Sequence, residues 1–212
     1  MAWTTTKGFN FRSTLAYVTD GTNQKFISNS PLYPDTQTIG GESVTYGWIT
    51  ASTIRDRVST NDPRLAGMHF TNAAGGNIDF RVDLPATGDY KLRVAIGDGS
   101  FSQNMQVRVY DNTTLLLTGD VNTTVANHFI DAAGTDLTNA TWPGSNAQQT
   151  LTFATTTFIL RLTGDATETS CIAHIELEQV TATAPAPTVN DAATVTEDVT
   201  MTMHLQNLTV NE

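Results

Sequence analysis

Apolar and polar residues alternate along Ile78 to Asp98, IDFRVDLPATGDYKLRVAIGD. Ile78, Phe80, Val82 and Leu84 share one parity in the first arm, as Tyr90, Leu92, Val94 and Ile96 do in the second. Arg81, Asp83, Lys91 and Arg93 occupy the other parity. Because successive strand side chains point to opposite faces, each arm reads as a strand with one face buried. Between them, Pro85-Ala86-Thr87-Gly88-Asp89 carries the residues that break pairing and turn the chain. The pattern predicts a half-buried antiparallel hairpin with all eight apolar side chains on one face. Such a hairpin needs a second apolar sheet over it.

The rest of the chain offers that sheet. Gly8 to Arg12 reads as a first strand, followed by Tyr17-Val18 and the turn signal Asp20-Gly21. Residues 26–47 are loop-rich, with Pro31, Pro34 and Gly40-Gly41, and lead into Val44 to Ile49. Met105, Val107 and Val109 alternate before Asp111-Asn112 turns the chain into Leu115 to Leu117, closed by Gly119-Asp120. Val121 to Ile130 is a weaker strand signal, and 131–149 is a polar excursion around Trp142-Pro143-Gly144. Leu151 to Phe153 and Phe158 to Leu162 read as a pair of strands, and Cys171 to Glu178 as another. No segment sustains a helical period, so helix is expected only as single turns. Short strands with turn signals about ten residues apart predict an all-β sandwich.

A change of composition ends this pattern. Residues 1–7 form a short N-terminal segment and 181–188 a linker of Pro, Ala and Thr. In 189–212, Val195, Val199, Met201, Met203 and Leu205 alternate as one further strand. Thr188-Val189-Asn190-Asp191 is echoed by Thr209-Val210-Asn211-Glu212, as in a repeat unit. So little apolar content cannot fold alone, which predicts an assembly arm whose strand adds to a neighbouring subunit.

Charge narrows the partners. Of the net −10, residues 1–110 contribute about +1 and residues 111–212, where Arg161 is the only cation, contribute the rest. An acidic half argues against nucleic acid, and suits ordinary solubility, cation binding or head-to-tail contact between copies. No apolar run is long enough to span a membrane. The opening residues lack the apolar core of a secretory signal, which predicts a protein used without such export or one whose signal has been removed. Cys171 is the only cysteine and forms no intramolecular disulfide.

Phe9-Asn10-Phe11, the phrase FRVDLPATGDYKLRVAIGD and the closing Ala173 to Leu177 resemble galactose-binding-like and malectin-like jelly-roll domains over residues 8–180. Arg55-Asp56-Arg57 resembles the same region of the sandwich appended to bacterial pectin-processing esterases. The opening TKGFNFRSTLAYVTDG and the tail VNDAATVTEDVTM are similar to structural proteins of tailed bacteriophages that carry this sandwich. The resemblance implies a jelly-roll β-sandwich of two antiparallel sheets at 8–180 with a C-terminal extended β arm. It also implies a non-enzymatic virion subunit, a capsid decoration or tail and fibre-like protein. That subunit would assemble in the host cytoplasm as a homo-oligomer or with other virion proteins, with glycans as further partners. The alternative is a carbohydrate-binding module of a secreted polysaccharide-active enzyme.

Candidate chemistry is sparse. Tyr46, Trp48, Arg55, Arg57 and Trp142 are the sugar-site candidates, because aromatic plates stack on sugar C–H faces while guanidiniums donate to hydroxyls or carboxylates. The competing expectation makes Trp48 core and pairs Arg55-Asp56-Arg57 with Asp62. Gly97-Asp98-Gly99-Ser100 superficially resembles an esterase nucleophile block but ends a strand in a chain without α/β pattern, and reads as a turn. His69, His128, His174 and His204 lack zinc-ligand spacing. Asp111, Asp120, Asp131, Asp136, Asp165 and Glu168 fall in loops or at strand ends. Calcium often bridges such loops in sandwiches of this family, but no calcium-loop motif specifies its ligands. No other cofactor is expected.

Overall fold

In the computed structural model the described residues are 2–12, 26–28, 31–50, 53–57, 62–71, 75–123, 125–164 and 170–180. Tyr17-Val18, the linker and the arm residues Val195, Val199, Met201, Met203 and Leu205 lie outside them. Among the described residues the strands in chain order are β1 Lys7–Asn10, β2 Phe26–Ser28, β3 Asp35–Ile39, β4 Glu42–Trp48, β5 Thr53–Asp56 and β6 Gly67–Phe70. There follow β7 Asn77–Asp83, β8 Gly88–Asp98, β9 Gln103–Asp111, β10 Thr114–Thr123, β11 His128–Ile130 and β12 Asp136–Thr138. The last are β13 Gln149–Phe153, β14 Thr157–Gly164, β15 Cys171–Ile172 and β16 His174–Gln179. Among the described residues helix is confined to single 3-10 turns at Pro63–Leu65 and Trp142–Gly144.

Two large sheets face each other as a jelly-roll sandwich. One runs β12-β11-β8-β16-β1-β2, with β13 also on β8, and the other runs β10-β9-β14-β7-β4-β3. A small sheet, β15-β6-β5, flanks them. The first sheet is not wholly antiparallel, because β1 and β2 run parallel. The loop-rich stretch also contributes β2 and the β3–β4 hairpin, which turns at Gly40 and Gly41, both with positive φ (60° and 81°). That conformation costs glycine little and other residues much.

The central expectation is corrected here. β7 and β8 do not pair: β7 lies between β14 and β4 in one sheet, and β8 pairs β16, β11 and β13 in the other. The chain crosses the sandwich at 84–87, so Ile78, Phe80 and Val82 face Tyr90, Leu92 and Val94 across the core instead of beside them. Alternation fixes which side chains point inward, but it is blind to whether the next strand is a neighbour or an opposite. The crossing is held from outside its own turn, with Leu84 N–H donating to Thr156 O (2.8 Å) and the Tyr90 hydroxyl to Ala86 O (2.8 Å). β13 and β14 also cross between sheets. Asp111 holds that second crossing, accepting from the N–H groups of Ala154 (2.7 Å) and Thr155 (3.1 Å).

Candidate functional site

Tyr46 and Trp48 occupy inward positions of β4 and are fully buried. Tyr46 packs on Phe9 with ring centroids 4.9 Å apart, and Trp48 on Phe11 and Phe80 at 4.9 and 5.0 Å. His69 stacks flat on Trp48 at 4.0 Å. Burial pushes the His69 imidazole down to about 3, so the ring in that stack is neutral at ordinary pH. Rings enclosed on both faces offer no platform to a sugar. These two candidates build the centre of the core.

Trp142 is also fully buried, but outside the main core. With Leu65, Ala95, Phe129 and Ala173 it forms a second apolar cluster on the outer side of the first sheet. The edge of β8 carries β13 along Gly88–Leu92 and β11 along Ile96–Asp98, which leaves a gap between them. The Trp142 indole N–H donates to Val94 O in that gap (3.0 Å). Arg93 and Arg64 lie over the ring at 4.3 and 5.0 Å. Both donate to one Glu176 oxygen, at 3.1 and 3.3 Å, which His174 Nε2 also meets at 3.0 Å. Asp62 caps the 63–65 turn and holds Arg64 at 2.7 Å. Burial would raise the Glu176 carboxyl, but the His174 hydrogen bond and the two guanidiniums outweigh it and hold it at about 2. Burial lowers His174 against the pull of Glu176, so it stays neutral and donates. These charges are spent on one another, as a latch that closes the loop over the sheet.

Arg55 remains accessible, and Arg57 keeps 15% of its side chain exposed. Arg55 is exposed and its guanidinium covers Phe70 at 4.6 Å. Arg57 donates in a bidentate fork to Asp98, Nε to Oδ1 at 2.8 Å and Nη2 to Oδ2 at 2.9 Å. Asp98 is 2% exposed and also accepts from Ser100 N–H at 2.8 Å, so the 97–100 block is a turn built around that carboxylate. The same guanidinium lies 5.6 Å from the ring of Phe101, which is 59% exposed. Phe101 and Val125, 51% exposed, lie in the β8–β9 and β10–β11 connections, which leave the sandwich at the end where Gln103 pairs with Thr123. A rigid guanidinium beside a bare aromatic ring is thus set where several strands end. Sequence reading missed Phe101. Its signal was a lone aromatic inside the polar turn GDGSFSQ, where no apolar face requires one.

The acids act locally. Asp131 accepts from Ala133 and Thr135 N–H groups (2.9 and 3.0 Å) and from the Ser145 hydroxyl (2.6 Å), tying down its loop. Asp136 meets His128 Nδ1 at 2.7 Å. Asp165, Glu168 and His204 lie outside the described residues. Among the described residues no group of three or more His, Cys, Asp and Glu is placed to hold a metal ion. Burial raises the Cys171 thiol well above its ordinary range. No helix among them is long and apolar enough to cross a membrane.

No family model matches the chain, and no curated protein does. Among solved structures it is similar to Bacteroides uniformis β-glucuronidase at 13% identity and TM-score 0.49, over 84% of this chain. It spans 18% of that enzyme's length. A family 35 carbohydrate-binding module from Clostridium thermocellum matches at 15% identity and TM-score 0.38, over 65% of this chain and 92% of the module. The family 35 module of Cellvibrio japonicus Abf62 matches at 16% identity and TM-score 0.36, over 65% of this chain and 94% of that one.

Proposed function

We propose that the sandwich is a non-catalytic glycan-binding module whose site is the end carrying Arg57, Asp98 and Phe101, with Arg55 beside it. The observation that carries this reading is the bidentate Arg57–Asp98 pair fixed next to an exposed Phe101 ring. Stacking on a sugar's C–H face needs a bare ring, and Phe101 supplies one. Two of the five guanidinium N–H groups of Arg57 are committed to Asp98, and the others serve a hydroxyl or a uronate carboxylate in a fixed plane. The carboxylate that orients Arg57 is itself buried, so the donor geometry is set before a ligand arrives and little ordering is lost on binding.

A glycan array with neutral and uronate-containing oligosaccharides tests this reading, followed by calorimetry of the best ligand against Phe101→Ala. Saturable binding that falls at least tenfold in the variant is the expected result. An array without signal, or equal affinity in the variant, refutes it.

The setting suggested by sequence resemblance is a virion subunit that displays this end outward and assembles through the 189–212 arm. A secreted enzyme's appended module is the alternative. Sedimentation of the intact chain and of a version ending at Val180 separates them: assembly of the first alone supports the virion setting, and two monomers remove the self-assembling arm.

A further inference from the structure

The two large sheets differ on their outer sides. The Trp142 loop covers part of the first, while on the second the side chains of Arg81 and Arg161 stay 31% and 37% exposed. Alternation along β7, β9 and β14 points Asp79, Arg81, Arg108, Tyr110, Ile159 and Arg161 to that outer side. Register sets them in two rows. Arg108, Arg161 and Asp79 lie at one level across β9, β14 and β7, and Tyr110, Ile159 and Arg81 lie at the next. The exposed Leu115 extends the second row onto β10. At the opposite margin the exposed Ile49 stands beside Asp79, its N–H donating to Asp79 O at 2.9 Å. Apolar side chains at the centre and both margins of an outer face mark it for a partner. Its charge is divided across β14. On one side β9 carries Arg108, which has no ion-pair partner among the described residues. On the other, β7 carries Asp79, Arg81 and Asp83, with one negative charge in excess.

We propose that this face is a twofold interface between two copies of the chain, with the axis along β14. Rotation about that strand keeps each row at its level and exchanges the strands on either side. Arg108 of each copy then comes over Asp79 of the other, Tyr110 comes over Arg81, and Ile159 packs on its own counterpart. The excess positive charge of β9 thus meets the excess negative charge of β7 twice, which is the self-complementarity that a twofold contact requires. Asp79 already accepts from Arg161 at 2.7 Å on each oxygen. A carboxylate has lone pairs for a second guanidinium, and Glu176 takes both Arg64 and Arg93 in this same fold. Size also suits a second copy. Six strands span about 29 Å at the usual spacing, and five residues of each span about 17 Å. Two such faces remove about 1,000 Å² from water, which reaches the range of specific interfaces. The face shares no residue with the Arg57 end, so its failure would leave the glycan reading untouched.

Sedimentation velocity and short bis-maleimide crosslinking of the full chain test the proposal. The chain is expected to dimerise reversibly, and more weakly as salt rises. Arg108→Glu should weaken the dimer at least tenfold while circular dichroism and unfolding stay near wild type. Ile159→Cys, at the axis, should yield a crosslinked dimer, since the native thiol of Cys171 is buried. Thr36→Cys, exposed on β3 and far from the axis, should not. The face belongs to the sandwich, so a version ending at Val180 dimerises as well, and the arm is read from any growth of the intact chain beyond the dimer. A monomer at every concentration, a dimer unmoved by Arg108→Glu, or equal crosslinking through Thr36→Cys would overturn the interface. A monomeric chain in which Arg108→Glu instead abolishes binding on the glycan array would assign the face to a saccharide and overturn it equally.

Discussion

The molecule uses arginine, an aromatic ring and a carboxylate twice, to opposite ends. Around Trp142, two guanidiniums share Glu176 and cover one ring, and Trp142 itself is fully buried. Around Phe101 a single guanidinium is locked by a buried carboxylate while the ring stays open. The first set is consumed by its own contacts and fastens a loop to the sheet. In the second set only half of the constellation is consumed. Residue type is therefore uninformative about binding; what matters is whether a ring face and donor hydrogens remain after internal pairing is complete.

Removing each ring tests the contrast most sharply. Trp142→Ala should cost about 3–5 kcal/mol in urea unfolding, the usual penalty for deleting a fully buried large ring. It also leaves the Val94 carbonyl without its donor. Breaking the ion pair of the open cluster comes next. Arg57→Ala strands the 2% exposed Asp98, and the expected loss is about 3 kcal/mol, with Arg57→Lys recovering part of it.

Acid should weaken the core through its buried histidines. The folded protein keeps His69 neutral down to about 3, whereas the unfolded chain takes up a proton near 6.5. The unfolded state thus binds more protons between those values, and stability falls as pH drops through that window. From pH 6.5 to 4.5 the expected loss from this residue is about 2–3 kcal/mol. His174, also lowered, adds to the loss in the same direction, and Glu176 adds below about pH 4.5 as it approaches protonation near 2. A His69→Phe variant, which keeps a ring against Trp48, should show a shallower fall of Tm over this range. A slope identical to wild type would exclude His69 as its source. The smallest stability effect belongs to Phe101→Ala, within about 0.5 kcal/mol for an exposed side chain. A larger loss would mean that Phe101 is structural, and the contrast between the two clusters would fail.

Much of the fold was legible locally. The inward parity of Phe80, Val82, Leu92 and Val94 and the turn at Asp111-Asn112 follow from period and turn chemistry, as does the near absence of helix, and the described residues show all three. The candidate site was less legible. Trp48 and Trp142 attracted attention because they are large and aromatic, yet size is what a core consumes first. Arg57 was found and its partner was not, because Asp98 lies 41 positions away and reaches it only across the fold. Phe101 lay unnoticed in a turn.

What the sequence determined by itself is which residues face inward, because strand geometry gives every residue a side irrespective of its neighbours. Which strand lies beside which was decided by tertiary structure. The step from β7 to β8 crosses the sandwich because pairing depends on partners such as β14 and β16, 74 or more positions away. Exposure of Phe101 and enclosure of Trp142 were decided there too, since both depend on what distant segments leave uncovered.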